Sequence, residues 1–269
     1  MTTADTDETH IQYDPDADHA FADEKLNELL PTLLSDPEIT AYLRAQNINP
    51  VGRLRYSDHG TKHIKIVRDY ALRLYELLKD AGVEFNGAAD QGLDDAFEPV
   101  ILALAATLHD IGHVVHRTDH SYYSIPLAAD ILDRLLFDFY DTETAVNVKS
   151  EVLHAILCHH TEETPLTMEA GVIRVADGLD MERGRSRVPY EKGGRGINTI
   201  SSQAIESVRI LAGDSVPVLI EIEMNNAAGV YQVDTLLKAK LTDSLLEDAV
   251  RIVAINTKET DRLVERIEL

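Results

Sequence analysis

Four histidines and two aspartates crowd the last twelve residues of the stretch ILALAATLHDIGHVVHRTDH, residues 101–120. His109 and Asp110 are adjacent, and His113, His116 and His120 follow. Neutral imidazole and carboxylate are both ligands for first-row divalent metals. Placing them together at the end of an apolar segment is costly inside a protein unless a cation joins them. A polar helix end meeting solvent would use the same residues, and a lone histidine reads that way. Four in so short a span, straight after a buried-looking helix, read as a metal site. A divalent cation there would polarise an oxygen of a bound substrate and lower the pKa of bound water from 15.7 toward about 7.

Several helices must bring such residues together. Ile101, Leu104, Ala105 and Leu108 have helical spacing, which predicts a helix from about Glu98 that delivers His109 and Asp110; Gly112 interrupts it. From Thr61, the residues His63, Val67, Tyr70, Ala71, Leu74, Leu77 and Leu78 share one face of a helix ending near Gly82. His63 opens on that face, as a satisfied core residue or as a ligand. His59, just before it, reads as a ligand, as a support behind one, or as plain surface. Pro126 is expected in the first turn of a helix running to about Phe139. Asp141 can cap the next helix, which ends in EVLHAILCHH with Val152, Leu153, Ile156 and Leu157 as its buried stripe. His159 and His160 each stack on part of that stripe, and either could project inward. Cys158 beside them reads as a small core residue, and His154 faces away. A helix from about Met168 carries Ile173, Asp177 and Asp180 on one side; an aspartate so placed is either exposed or held by a partner.

Residues 183–195 place Arg183, Arg185, Arg187, Lys192 and Arg195 against Glu191 alone. The glycines make this a loop, and arginine forks suit phosphate oxygens; a loop salt-bridged to acidic surface is the plainer alternative. Residues 1–20 are acidic, lack apolar periodicity and are expected to be disordered. Residues 22–46 read as two short helices separated near Pro31 and Pro37. Beyond Thr199 one more helix is expected to Gly213. A strand at 216–224, a helix over YQVDTLLKAKL and a strand at 250–256 then form a small α+β subdomain, residues 214–269. That subdomain would pack on the helical body, residues 21–213, or form a homo-oligomer contact. The fold class is therefore mainly α, a helical bundle with a small strand–helix–strand subdomain.

Composition narrows the partners. Asp plus Glu number 47 against 25 Lys plus Arg, a formal charge of −22 over 269 residues. Such a field repels nucleic acid and anionic membrane unless a local basic patch opposes it. Its spread along the chain suggests a salt-adapted cytosol, where a Debye length of about 3 Å at 1 M screens the self-repulsion. A single cysteine precludes an intramolecular disulfide framework and fits a reducing interior. The N-terminus has neither a basic nor an apolar signal region, and no apolar run approaches the roughly 18 residues of a spanning helix. A soluble, cytoplasmic protein is expected. Neither a GxGxxG nor a Walker A loop occurs.

The order His63, His109-Asp110, Asp177 resembles the HD superfamily of metal-dependent phosphohydrolases, over about residues 56–187. The resemblance implies that these four residues are metal ligands converging from separate helices of an all-α core. HDIGHVVH is similar to the HDLGH segment of the deoxynucleotide triphosphohydrolase branch, which implies that His113 assists chemistry near the phosphate. His120 followed by His159-His160 is similar to branches that bind a second metal, including the cyclic-dinucleotide phosphodiesterases; Asp110 would then bridge two ions. The glycine–tyrosine–proline signature of those phosphodiesterases is absent after CHHTEETP, and the tail from Val216 to Leu269 matches neither branch. Within the superfamily the chain looks most like a compact archaeal group of uncharacterised phosphohydrolases, and a halophilic source is expected.

The resulting expectation is hydrolysis of a phosphomonoester or phosphodiester bond, most naturally in a nucleotide, by a metal-activated hydroxide. One or two divalent ions are implied, with Mn, Fe, Ni or Zn favoured by the mixed ligands and Mg allowed. His113 or His116 would protonate the leaving oxygen, and Arg183, Arg185, Arg187 and Lys192 would hold substrate phosphates. Two other readings compete. One is a nucleotide-sensing module without turnover, which an intact ligand set disfavours. The other is a nuclease, for which binding should fall steeply with salt.

Overall fold

The computed structural model describes residues 24–186, 190–191, 196–257 and 266–269; the acidic tail of residues 1–20 lies outside them. At the centre of the helical body, after the short α4 (Gly87–Asp90), is α5 (Glu98–Leu108), in which every residue is buried. Its sequence EPVILALAATL has no polar face, so it is packed on all sides, as a helix apolar all round must be. Each fully buried leucine or isoleucine in it stabilises the fold by roughly 1.5–3 kcal/mol. Glu98, buried at its start, pairs with Lys79 at 2.9 Å.

Around α5 lie α1 (Glu24–Ser35), α3 (Thr61–Asp80), α7 (Thr142–Cys158) and α8 (Met168–Leu179), while α6 (His120–Phe139) packs on α7. The amphipathic α3 buries His63, Ile64, Val67, Ala71, Leu74 and Leu78. It ends before Gly82, whose φ of +77° reverses the chain in a conformation glycine adopts without strain. Asp141 caps α7 by accepting from the Glu143 and Thr144 amides, as its position suggested. Thr167 caps α8 by accepting from the Ala170 amide.

Three expectations about the helices need correction. Pro31 does not separate two helices but sits inside α1, and the break falls at Asp36, which caps α2 (Pro37–Ala45). Pro126 lies in the second turn of α6, because that helix begins at His120, immediately after Asp119 with φ +59°. The segment from Thr199 to Gly213 is not one helix. A short α9 (Ile197–Ser202) gives way to a strand, β1 (Ile205–Ala212).

The C-terminal sheet therefore starts at Ile205 and has the order β1-β2-β3-β4, with β2 (Val218–Met224), β3 (Val250–Asn256) and β4 (Arg266–Glu268). β1 and β2 are antiparallel, β2 and β3 parallel, β3 and β4 antiparallel. A parallel pair needs a crossover. Here it contains a wide helical turn, Tyr231–Leu237, running into α10 (Lys238–Leu241). Val218, Ile220, Ile222 and Met224 alternate onto the buried face of β2, while Arg209 pairs with Glu221 and Glu223 on the other. Among the described residues no helix is long and apolar enough to cross a membrane.

Candidate metal centre

The candidate ligands sit at helix ends gathered at one end of the bundle. His63 is in the first turn of α3, His109 caps the end of α5, and Asp110 follows it. His120 opens α6, His159 caps the end of α7, and Asp177 is in the last turn of α8. The start of α6 is brought against the end of α5 by Gly112. Its amide donates to Ser124 Oγ at 2.8 Å, and that hydroxyl donates to the His109 carbonyl at 2.6 Å.

Asp110 is central. Its Oδ2 lies 3.2 Å from His63 Nε2 and 3.4 Å from His109 Nε2. Its Oδ1 lies 3.3 Å from His120 Nε2, 3.5 Å from His113 Nε2 and 3.7 Å from His159 Nε2. Asp177 Oδ1 joins the first group, 3.2 Å from His63 Nε2 and 3.9 Å from His109 Nε2. Oδ2 of Asp110 thus faces two histidines and Oδ1 three others.

Hydrogen bonding fixes which nitrogens are available. Nδ1 of His109 faces the Ala106 carbonyl at 2.8 Å, that of His120 the Arg117 carbonyl at 2.9 Å, and that of His159 the Ile156 carbonyl at 2.6 Å. Nδ1 of His63 faces Asp180 Oδ2 at 2.6 Å. Each of these partners can only accept, so each Nδ1 carries the proton, and in a neutral ring each Nε2 presents a lone pair. This is the support pattern of metal-binding histidines. Yet Nε2 of His63 and His109 are 3.3 Å apart, and Nε2 of His120 and His159 are 3.0 Å apart. Lone pairs that close repel unless a proton or a cation lies between them. Asp110 Oδ2 and both ring nitrogens of His113 are also buried without a hydrogen-bond partner, a condition that costs roughly 1–3 kcal/mol per group. The donor set therefore fits divalent cations. Three groups, His63–His109–Asp177, His109–Asp110–His159 and His59–Asp110–His113, each bring one ligand atom per residue within 4.8 Å of one another.

Electrostatics points the same way. Burial holds His59 well below its usual basicity against the pull of Asp110, burial reinforced by His109 and His120 does the same for His159, and burial lowers His113. Burial opposes ionisation of Asp110 as well, but the surrounding imidazoles, His109 foremost, hold it well below the ordinary carboxylate range. Asp177 is held down similarly against burial, by Lys240 and His63. In His63 burial and Arg185 resist the charge, but contact with Asp110, Asp177 and Asp180 raises its pKa to about 10. Without metal, that ring takes the proton that separates it from His109.

A cavity of about 280 Å³ opens onto Asp110, His113, His120 and Asp177. The Arg117 guanidinium lies 3.7 Å over the Tyr56 ring on its wall, and Arg117 Nε is buried without a partner. Arg185 lines it too, with Nη1 donating to the Asp180 carbonyl at 2.7 Å and Nη2 3.6 Å from Asp177 Oδ1.

Of the expected site residues, His63, His109, Asp110, His113, His120, His159, Asp177 and Arg185 come together. His160 does not join the ligand atoms: it is half-exposed at the rim, bonded through Nδ1 to Glu162, because the end of α7 turns His159 inward instead. His116 is exposed, accepts from the Thr118 amide at 3.0 Å and is not on the cavity wall. Arg183 points outward and pairs with Glu206 at 3.2 Å. Arg187 and Lys192 lie outside the described residues. Sequence reasoning gave no role to Tyr56, Arg117 and Lys240, and left Asp180 undecided. The only signal for Asp180 was its place on the Asp177 side of the helix.

The HD domain family matches residues 58–182, a span from just before α3 to just after α8. An uncharacterized protein of Methanocaldococcus jannaschii is 41% identical over 229 residues, covering 84% of this chain and 88% of that one. No solved structure matches the chain.

Proposed function

This chain is an HD-domain protein, in one family with the Methanocaldococcus jannaschii protein, and on that premise we propose that it is a phosphohydrolase using two divalent cations. The observation that carries the reading is the convergence of two pairs of Nε2 atoms, His63 with His109 and His120 with His159, on the two oxygens of Asp110. His63, His109, Asp110 and Asp177 would hold one cation, and Asp110, His120 and His159 the other. Mixed nitrogen and oxygen donors suit Mn, Fe, Ni or Zn better than Mg alone. Bound there, such ions supply a Lewis acid for a phosphoryl oxygen and a water acidic enough to ionise near neutral pH.

The chain's own residues do the rest. Arg117, on the cavity wall, offers a fork to phosphate oxygens. Arg185 holds the Asp177–Asp180 segment in place while facing the same space. His113 stacks on His120 with ring centroids 4.1 Å apart, its Nε2 facing Asp110 Oδ1 at 3.5 Å and its Nδ1 without a hydrogen-bond partner. Since burial keeps it neutral, it can take a proton from a water at one ring nitrogen and release the proton on its other nitrogen to a leaving oxygen. A small phosphorylated substrate, a nucleotide in our reading, fits a cavity of about 280 Å³ better than an extended polyanion does.

The test is metal quantification on protein purified in high salt, then a nucleotide panel in the same buffer. About two ions per chain are expected, with His109→Ala and Asp110→Ala losing bound metal and turnover together. Full turnover in both variants would refute the assignment.

A further inference from the structure

Lys240 is the one cation that the C-terminal segment sends among the candidate ligands of the described site. It stands on α10, outside the span that the HD domain family matches. Its Nζ donates to Asp177 Oδ2 and, at 2.8 Å, to the main-chain carbonyl of His159. Both ends of the ion pair are largely buried, with the Lys240 side chain 14% and Asp177 11% exposed. Asp177 therefore divides its oxygens: Oδ1 faces His63 and His109, and Oδ2 is held by the lysine. The same ammonium ties the end of α7, where His159 is turned inward, to the end of α8.

The face of α8 is cut to admit this residue. A Cβ at Gly178 would lie 2.9 Å from Lys240 Cδ and 3.2 Å from Leu237 Cδ1, so the lysine stem lies where a side chain would otherwise stand. Two turns earlier a Cβ at Gly171 would overlap the Ser244 carbonyl. Between them Arg174 donates to the Ala239 carbonyl at 3.4 Å. Gly171, Arg174 and Gly178 follow i, i+3, i+7 spacing and make one stripe, and α10 with the turn after it lies along that stripe.

We propose that Lys240 is a positioning residue of the metal centre: it fixes Asp177 with one oxygen turned to the cation site and locks His159 against it. The C-terminal subdomain is then part of the site and not an appendage to it. The inference rests on the metal-centre reading above, with Lys240 acting through Asp177 and His159.

The experiment uses the full chain and Zn²⁺ alone, with affinity read by chelator competition and Tm read alongside. Lys240→Met keeps the aliphatic stem and removes the charge. Loss of a partner that orients a ligand typically weakens metal binding by about 10- to 100-fold, and that loss is expected here. Lys240→Arg should recover most of it, and a merely structural role would move Tm without moving Zn²⁺ affinity. If K240M does not fold, K240Q takes its place with the same expectation, since it keeps a donor for the His159 carbonyl. Unchanged or tighter Zn²⁺ binding in K240M or K240Q would overturn this inference alone. Tight binding by the unsubstituted chain without hydrolysis of any phosphate ester would sink the proposed reaction and leave the inference standing. No Zn²⁺ binding by the unsubstituted chain would overturn both.

Discussion

Zinc added to the metal-free protein at pH 8 is expected to drive a proton off His63. Nδ1 of that ring bonds Asp180, and Nε2 faces Asp110 Oδ2 and Asp177 Oδ1, each at 3.2 Å. Burial and Arg185 resist a charged ring, but the three carboxylates prevail and raise its pKa from 6.5 to about 10. At pH 8, two units lower, about one ring in a hundred is neutral. A cation must replace that proton, which costs about 3 kcal/mol of its binding free energy at this pH. Apparent affinity should then rise about tenfold per pH unit and flatten near the pKa of about 10. The sign for stability follows from the same shift. Because the folded pKa lies above the unfolded one, protonated His63 stabilises the metal-free fold fully below about 6.5 and loses that contribution as pH rises through about 10. The contribution is on the order of 5 kcal/mol. His59 and His159, held neutral by burial, have no such proton to give. Imidazole ¹⁵N spectra, assigned with His63→Gln, read the outcome directly. The metal-free ring should be doubly protonated at pH 8 and lose its Nε2 proton on saturation with Zn²⁺. A neutral His63 ring in the metal-free protein at pH 8 would refute the reasoning, as would an imidazolium that survives saturation.

Two substitutions probe the frame and the wall. A Cβ at Gly112 would overlap the His120 carbonyl and the Ser124 amide, so Gly112→Ala should cost on the order of 2–3 kcal/mol. Calorimetry of the metal-free protein should show Tm lowered by about 5–10 °C, and an unchanged Tm would contradict the packing described. Arg117→Ala removes the guanidinium over Tyr56. A lost charge-assisted hydrogen bond of about 1.5–3 kcal/mol predicts KM for the best phosphate ester up about 10- to 100-fold with kcat little changed; a lower kcat at unchanged KM would assign Arg117 to the reaction step instead.

The helical body could be read from spacing alone because its helices are long and strongly patterned. α5 is apolar but for Glu98 and Thr107, and α3 carries a buried stripe from His63 to Leu78 that widens to every face over residues 67–72. β1 could not be read in this way. Its pairing with β2 shifts register between Ile205 and Ser207, a bulge that leaves Ile205 and Val208 both buried, three residues apart. That spacing imitates a helix, so the segment was expected to be one. At the candidate metal centre, histidines and aspartates announced themselves by type and clustering. The choice of His159 over His160 did not, since both stack on the same stripe and only the end of α7 decides between them. Lys240 carried no signal either. A lysine on a short amphipathic segment looks like solvated surface until α8 is found to present Gly171 and Gly178 beneath it.

On the proposed reading, the charges around Asp110 would let an acidic protein take an anionic substrate. Asp110, Asp177 and Asp180 bring three negative charges into a nearly dry space, and Arg185 and Lys240 return two. The proton on His63 supplies the third, so the metal-free site is close to neutral. With two divalent cations in place and that proton gone, the same side chains leave a net charge of three positive, and Arg117 on the wall adds one more. The protein as a whole carries −22. Screening confines each field to within about a Debye length, roughly 8–10 Å at ordinary ionic strength. An extended polyanion must cross the repulsive exterior over its whole length, whereas a compact phosphate ester meets the positive cavity soon after it reaches the mouth. On the proposed two-cation reading, this charge balance would favour small phosphorylated molecules over nucleic acid.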